Sequence, residues 1–211
     1  MRRFRDRAEA GQLLAERLVE YATRDDVVVF ALPRGGVPVG FEVARRLGAP
    51  LDVLLVRKLG VPGQEELAMG ALASGGTRVL NEELVSQLRV PTELIERVAA
   101  AEAIELERRE RLYRGSRPTA DVAGRVVILV DDGLATGATM RAAAVALRSR
   151  RPSHIVVAVP TGSGAAVEML GRVADDVICL SSPEPFYAVG MSYDDFSEVA
   201  DDEVRALLSA V

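Results

Sequence analysis

The sequence predicts an α/β fold: a doubly wound, mainly five-stranded parallel sheet flanked by helices, with a flexible loop or ribbon insertion and a small C-terminal hood. Three observations carry this. Five apolar runs, 27–32, 52–56, 126–130, 155–159 and 177–180, have strand length and little polar alternation, as strands buried on both faces do. Helical patterns separate most of them, and strand–helix alternation gives a parallel sheet. Two runs pass directly into glycine-containing loops that open helices, at 33–36 and 133–139.

The elements follow in order. Within 6–23, Leu13, Leu14, Leu18, Val19 and Ala22 fall at helical spacing and predict an amphipathic helix that Asp25-Asp26 ends. After the first strand comes Pro33-Arg34-Gly35-Gly36, then a helix over Val37–Leu47 stopped by Gly48. The strand 52–56 ends in Arg57-Lys58, at the sheet edge where ligands bind in open α/β folds. Residues 59–76 are rich in glycine and contain Pro62-Gly63 and Glu65-Glu66. Short strands at Met69–Ala73 and Arg78–Leu80 predict a two-stranded ribbon around Gly75-Gly76. Pro91 and Gly115 bracket a long helix, Thr92–Tyr113. Its charged run 105–111 reads as a solvated face with i,i+4 pairs, or alternatively as a dimer contact. Gly164–Val173 and Asp202–Leu208 complete the helices. The chain reads as one domain, 1–211, with its core at 27–181, an insertion at 59–115 and the hood at 182–211.

Composition excludes several classes. Net charge is −5 with no dense Lys/Arg cluster, so no nucleic-acid partner is expected. The apolar runs are far shorter than a bilayer span, so no membrane partner is expected either. The N-terminal MRRFRDRAEAGQ lacks an apolar signal region, and a lone Cys179 allows no intrachain disulfide; both point to the cytoplasm. Cys179 reads as buried filler, and His154, with no His or Cys partner nearby in sequence, as structural.

The most informative stretch is Val126–Met140, VVILVDDGLATGATM. A buried strand delivers Asp131 and Asp132, and a small-residue loop then opens a helix. Loop amides and first-turn N–H groups lack intrahelical partners, and the helix dipole favours an anion there. Thr136 and Thr139 add hydroxyl donors. The acid pair repels a phosphate and suits sugar hydroxyls, or a hydrated divalent cation that the substrate brings. Phosphate, diol and metal handled within nine residues describe a phosphorylated ribose. A P-loop would need GxxxxGK, and a dinucleotide loop GxGxxG; neither is present here.

This string resembles the PRPP-binding signature of the type I phosphoribosyltransferases (PRPP is 5-phosphoribosyl diphosphate). The resemblance implies that Gly133, Ala135, Thr136, Gly137, Ala138 and Thr139 hold the 5′-phosphate. It implies that Asp131 and Asp132 serve the ribose and, through water, Mg2+. The stretch ALPRGGVPVG resembles the family's pyrophosphate loop, which implies a role for Arg34, Gly35 and Gly36. Arg57-Lys58 resembles the pair before the family's mobile catalytic loop. That implies pyrophosphate contacts from both and a catalytic role for Lys58 beside Asp131 and Asp132. Segment 59–76 would be the loop that closes over substrate. In SPEPFYAVGMSYDDF, 182–196, four of the chain's nine aromatics fall within eleven residues. The rings either stack on a flat heterocycle or form a small satellite core. The segment resembles the hood of purine-type members, which implies base contacts from Phe186 and Val189.

The implied activity is transfer of a phosphoribosyl group between PRPP and a nitrogenous base or other nitrogen nucleophile, by a Mg2+-dependent homodimer of nucleotide metabolism. The alternative is a PRPP- or nucleotide-binding regulator that keeps the cradle without the chemistry. The 6-oxopurine members carry an acid where this chain has Ala135, while the hood is of the purine type, so the base stays open.

Overall fold

The computed structural model describes residues 3–210, apart from the side chains of Glu65 and Glu66. Its centre is a parallel sheet of five strands: β1 (Val27–Ala31), β2 (Leu51–Val53), β6 (Val126–Val130), β7 (His154–Thr161) and β8 (Asp176–Ser181). They lie side by side in the order β2-β1-β6-β7-β8. β1 and β6 pair in register from Val27↔Val126 to Ala31↔Val130, and every residue of both is buried.

Alternate residues of the strands feed two cores. Val27, Val29, Ala31, Ile128 and Val130 face one side. There they meet α1 (Arg7–Glu16), α2 (Gly36–Leu47), α4 (Thr92–Arg114) and α7 (Asp201–Ser209). Val28, Phe30, Val127, Leu129 and Val157 face the other side, against α5 (Ala138–Arg148) and α6 (Gly164–Leu170). The helices after β1 and β6 therefore leave toward opposite faces. Adjacent strands whose crossovers diverge open a crevice at their C-terminal ends, where ligands of such sheets bind.

A second sheet is antiparallel, in the order β3 (Val56–Val61), β4 (Gln64–Ala73), β5 (Thr77–Leu80). The expected two-stranded ribbon thus has a third strand. It is also anchored: Leu59 and Met69 are fully buried in the first core. Glu65 and Glu66, read as the acidic part of a closing loop, have side chains outside the described residues.

Two further expectations change. The helix expected over 6–23 stops at Glu16 and gives way to a 3-10 turn, Val19–Tyr21. The strand expected over 52–56 ends at Val53, and Val56 already begins the antiparallel sheet. A buried network turns the chain there. Arg114 donates to Asp52 Oδ1 at 2.7 Å and to the Val53 carbonyl, and Asp52 also accepts from Ala120 N–H at 2.9 Å. A short helix, α3 (Glu82–Gln87), has no counterpart in the sequence reading.

Candidate functional site

Four loops meet at the C-terminal edge of β1 and β6. The loop after β6 runs from Asp131 into α5. Gly137 takes φ +72°, a left-handed turn that a side chain would strain, and a Cβ there would also lie 2.8 Å from Met169 Cε. The first i→i−4 bond of α5 is Arg141 N–H to the Gly137 carbonyl at 2.8 Å. The preceding amides, 138–140, stand at the positive end of an eleven-residue helix. Ala135, Thr136, Ala138 and Thr139 are exposed, as a phosphate cradle requires. Thr136 Oγ1 makes only a long bond, 3.4 Å, with Ala138 N–H.

The loop after β1 lies directly against the acid pair. A Cβ on Gly35 would overlap the Asp132 carboxylate, and one on Gly36 would sit 2.9 Å from Asp131 Cα and the Val130 carbonyl. The Pro33–Arg34 peptide is cis. Gly36 N–H donates to the Leu32 carbonyl at 3.0 Å and Val37 N–H to the Arg34 carbonyl at 3.1 Å. Gly36 therefore offers space, not a donor, and among the described residues no hydrogen bond engages the amides of Arg34 and Gly35. The Arg34 side chain already meets carboxylates: it donates to Glu198 and lies 4.0 Å from Asp201, which also accepts from Tyr113 Oη at 2.6 Å.

The acids themselves are half-buried, not exposed at a strand end. Burial, and then the charge of Asp132, push the Asp131 carboxyl well above the ordinary carboxylate range. Burial also raises Asp132, while the Arg7 guanidinium works against that shift. Arg7 Nε donates to Asp132 Oδ2 at 2.8 Å, with the two side chains 12% and 14% exposed. Arg7 Nη1 reaches the Ser197 carbonyl at 2.7 Å, and its guanidinium carbon lies 4.0 Å from the centre of the Phe196 ring. Tyr193 Oη donates to the Asp132 carbonyl at 2.6 Å.

Amidation should therefore relieve both acids, and Asp132 the less. Burial raises both carboxyls, but Asp132→Asn also gives up the Arg7 ion pair, so it should gain less stability at neutral pH than Asp131→Asn. Asp131→Asn should stabilise the ligand-free protein at neutral pH. Its raised folded pKa contributes stability below the unfolded value, about 4, which is lost as pH rises through the raised one. The gain should thus vanish below about pH 4. Urea titrations at the two pH values check both gains.

The hood splits the aromatic expectation. Tyr193 packs with Phe4 and Phe196, at centroid distances of 5.5 and 5.1 Å; Phe4 and Tyr193 form the satellite core, while Phe196 stays 38% exposed. Val189 reaches the cradle: a Cβ on Gly133 would lie 2.5 Å from Val189 Cγ1. Phe186 instead lines a cavity of about 360 Å3 with Arg3, Phe4, Tyr187 and Met191, and no residue of 131–139 lines it. Arg57 and Lys58 do not stand at the parallel sheet's edge. They lie within β3; Arg57 is paired with Glu102 at 2.6 Å, and Lys58 is exposed. Arg7 and the Arg34 partners were not singled out from sequence, and Tyr193 only as one ring of the hood cluster. The 125-residue separation of Arg7 from Asp132 leaves no local pattern to read.

The comparisons agree with this geometry. The family model described as "Phosphoribosyl transferase domain" matches residues 5–195. The chain belongs to the phosphoribosyl transferase family. A Mycobacterium tuberculosis H37Rv protein whose name includes "phosphoribosyl transferase" is 47% identical over 208 residues, covering 99% of this chain and 47% of its own length. The chain thus spans about half the length of the curated relatives it matches. A Chloroflexus aurantiacus protein named "Bifunctional protein PyrR" is 34% identical over 136 residues, 60% of this chain and 65% of its own. The crystal structure of TT1426 from Thermus thermophilus is 49% identical, covers 99% of this chain and 98% of its own, and superposes with a TM-score of 0.88. No described helix is long and apolar enough to cross a membrane.

Proposed function

We propose that this member of the family is a phosphoribosyltransferase: it transfers the 5-phosphoribosyl group between PRPP and a nitrogenous base, or another nitrogen nucleophile, with release of pyrophosphate. The observation that carries the reading is the direct contact between the Gly35-Gly36 loop and Asp131-Asp132, beside the helix-capped cradle 133–139. One crevice then offers an anion loop, a diol-binding acid pair and a second anion loop, in the order that pyrophosphate, ribose and 5′-phosphate require.

In this mechanism the C1′–O bond to diphosphate breaks as the C1′–N bond forms. The electron pair leaves with the diphosphate, and a proton on the attacking nitrogen passes to water, because Ala135 supplies no carboxylate to accept it. The cradle fixes the 5′-phosphate and so aims C1′. Asp131 and Asp132 hold the ribose hydroxyls, and their charge favours the oxocarbenium-like centre. Among the described residues no cluster of three His, Cys, Asp or Glu forms a resident metal site. The pair fits a hydrated Mg2+ that enters with PRPP, held through water, and that ion would neutralise the diphosphate. Homodimerisation and a cytoplasmic setting belong to the same proposal. Incubation with MgPRPP and a panel of nitrogenous bases, with pyrophosphate release as the readout, tests the activity. Release with none of them, despite PRPP binding, would favour the regulatory alternative.

In this proposal the acceptor lies beneath the hood, next to Val189 against the cradle; Phe186, which lines a neighbouring cavity that no residue of 131–139 shares, would cover only a ring that extends into that cavity. Phe186→Ala should weaken nucleoside monophosphate binding by about 1–3 kcal/mol, the range for one lost stacking partner, and leave ribose-5-phosphate binding unchanged in calorimetry. Equal loss of both ligands would make Phe186 a wall of its own cavity and not a base contact.

A further inference from the structure

We infer that Arg7 is a positioning residue for the diphosphate half of the site: it neutralises and fixes the Asp132 carboxylate so that the Gly35 loop can accept an anion beside it. The inference rests on the proposed reading that loop 33–36 receives the diphosphate.

The argument begins with a conflict. The Asp132 carboxylate sits so close to Gly35 that a Cβ there would overlap it. The Arg34 and Gly35 amides are the donors which that loop leaves to a ligand. A diphosphate on those amides therefore comes to lie next to a carboxylate that is 14% exposed. In so dry a place like charges repel strongly, because little water screens them.

Arg7 resolves the conflict at the carboxylate itself. Its Nε bonds Asp132 Oδ2, the same oxygen that Gly35 faces. The guanidinium cannot swing away freely. The Ser197 carbonyl holds Nη1, and the Phe196 ring covers its face. Asp6 caps α1 by accepting from Glu9 N–H at 2.8 Å, which fixes the backbone from which Arg7 projects. On the opposite side, Tyr193 Oη pins the Asp132 carbonyl. A half-buried cation held by the Ser197 carbonyl and the Phe196 ring, with its Nε on one acid of the ligand crevice, is more than the tethering of a terminus needs. An apolar residue at position 7 would serve packing without a charge. The pairing also divides the acid pair. Asp132 is turned toward Arg7 and the Gly35 loop, and Asp131, whose described side-chain bond is with its neighbour's amide at 2.9 Å, is left to the ribose.

The test uses two probes on the whole chain, inorganic pyrophosphate and ribose-5-phosphate, by calorimetry in EDTA so that no divalent ion offsets the charges. Arg7→Met should weaken pyrophosphate binding by about tenfold or more, and ribose-5-phosphate by less than about threefold. Arg7→Lys should retain most of the pyrophosphate affinity, because it keeps the charge. The double variant Arg7→Met/Asp132→Asn, which removes both charges, should recover affinity to within about threefold of the wild type. Equal loss of both ligands in Arg7→Met, without recovery in the double variant, would overturn the inference and leave Arg7 a structural tether. Unchanged pyrophosphate binding in Arg7→Met would overturn it as well. A wild type that binds ribose-5-phosphate but not pyrophosphate would overturn this inference alone. A wild type that binds neither, with magnesium restored as well as in EDTA, would overturn the phosphoribosyl reading with it.

Discussion

Gly36→Val abolishes diphosphate binding, by at least about a hundredfold or 2.7 kcal/mol, and spares most of the affinity for ribose-5-phosphate. The first β-carbon alone would lie 2.9 Å from Asp131 Cα and the Val130 carbonyl, and 3.1 Å from Asp131 Oδ1. Two of those three neighbours are backbone, the buried end of β6 and the residue that follows it, so the loop and not the strand must give way. Moving it carries off the Arg34 and Gly35 amides, on which the diphosphate would rest. The cradle for the 5′-phosphate is built from the next crossover, with its own glycine turn at 137 and its own helix. Calorimetry with magnesium pyrophosphate and with ribose-5-phosphate separates the two. An equal loss of both would mean that the crevice has collapsed, or that loop 33–36 is not the diphosphate site.

Replacing both acids, Asp131→Asn and Asp132→Asn, should lower MgPRPP affinity by at least tenfold, about 1.4 kcal/mol. The amides keep shape and lose charge, so what disappears is the attraction for hydrated metal and the stronger acceptors for ribose hydroxyls. The fold should survive, because amidation relieves a buried charge at Asp131 and, less strongly, at Asp132. Unchanged MgPRPP binding in a folded double variant would show the pair to be incidental to the site.

Much of this site was legible because its chemistry is local. The acids, the glycine turn and the helix start lie within nine residues of 131–139, and the backbone geometry that binds an anion follows from that order. The five parallel strands were legible for a similar reason: their runs are apolar at nearly every position, as strands covered on both faces must be. What was not legible depends on distance in sequence. Arg7 meets Asp132 across 125 residues, and Arg34 meets Glu198 across 164. Neither partner stands in a pattern that marks it. Arg57-Lys58 was misplaced because Asp52 is bound by Arg114, 62 residues on, which ends β2 early and lets Val56 start another sheet. The hood aromatics form one string in sequence, yet the fold sorts them. Tyr193 turns into a small core, Phe196 stays exposed against the Arg7 guanidinium, and Phe186 lines a separate cavity.

The most direct test of the account is calorimetric titration of the wild-type chain with PRPP in the presence of magnesium. The account predicts saturable, magnesium-dependent binding, competed by ribose-5-phosphate through the 133–139 cradle and by pyrophosphate through the 33–36 loop. Absence of binding at millimolar PRPP with magnesium present would contradict it.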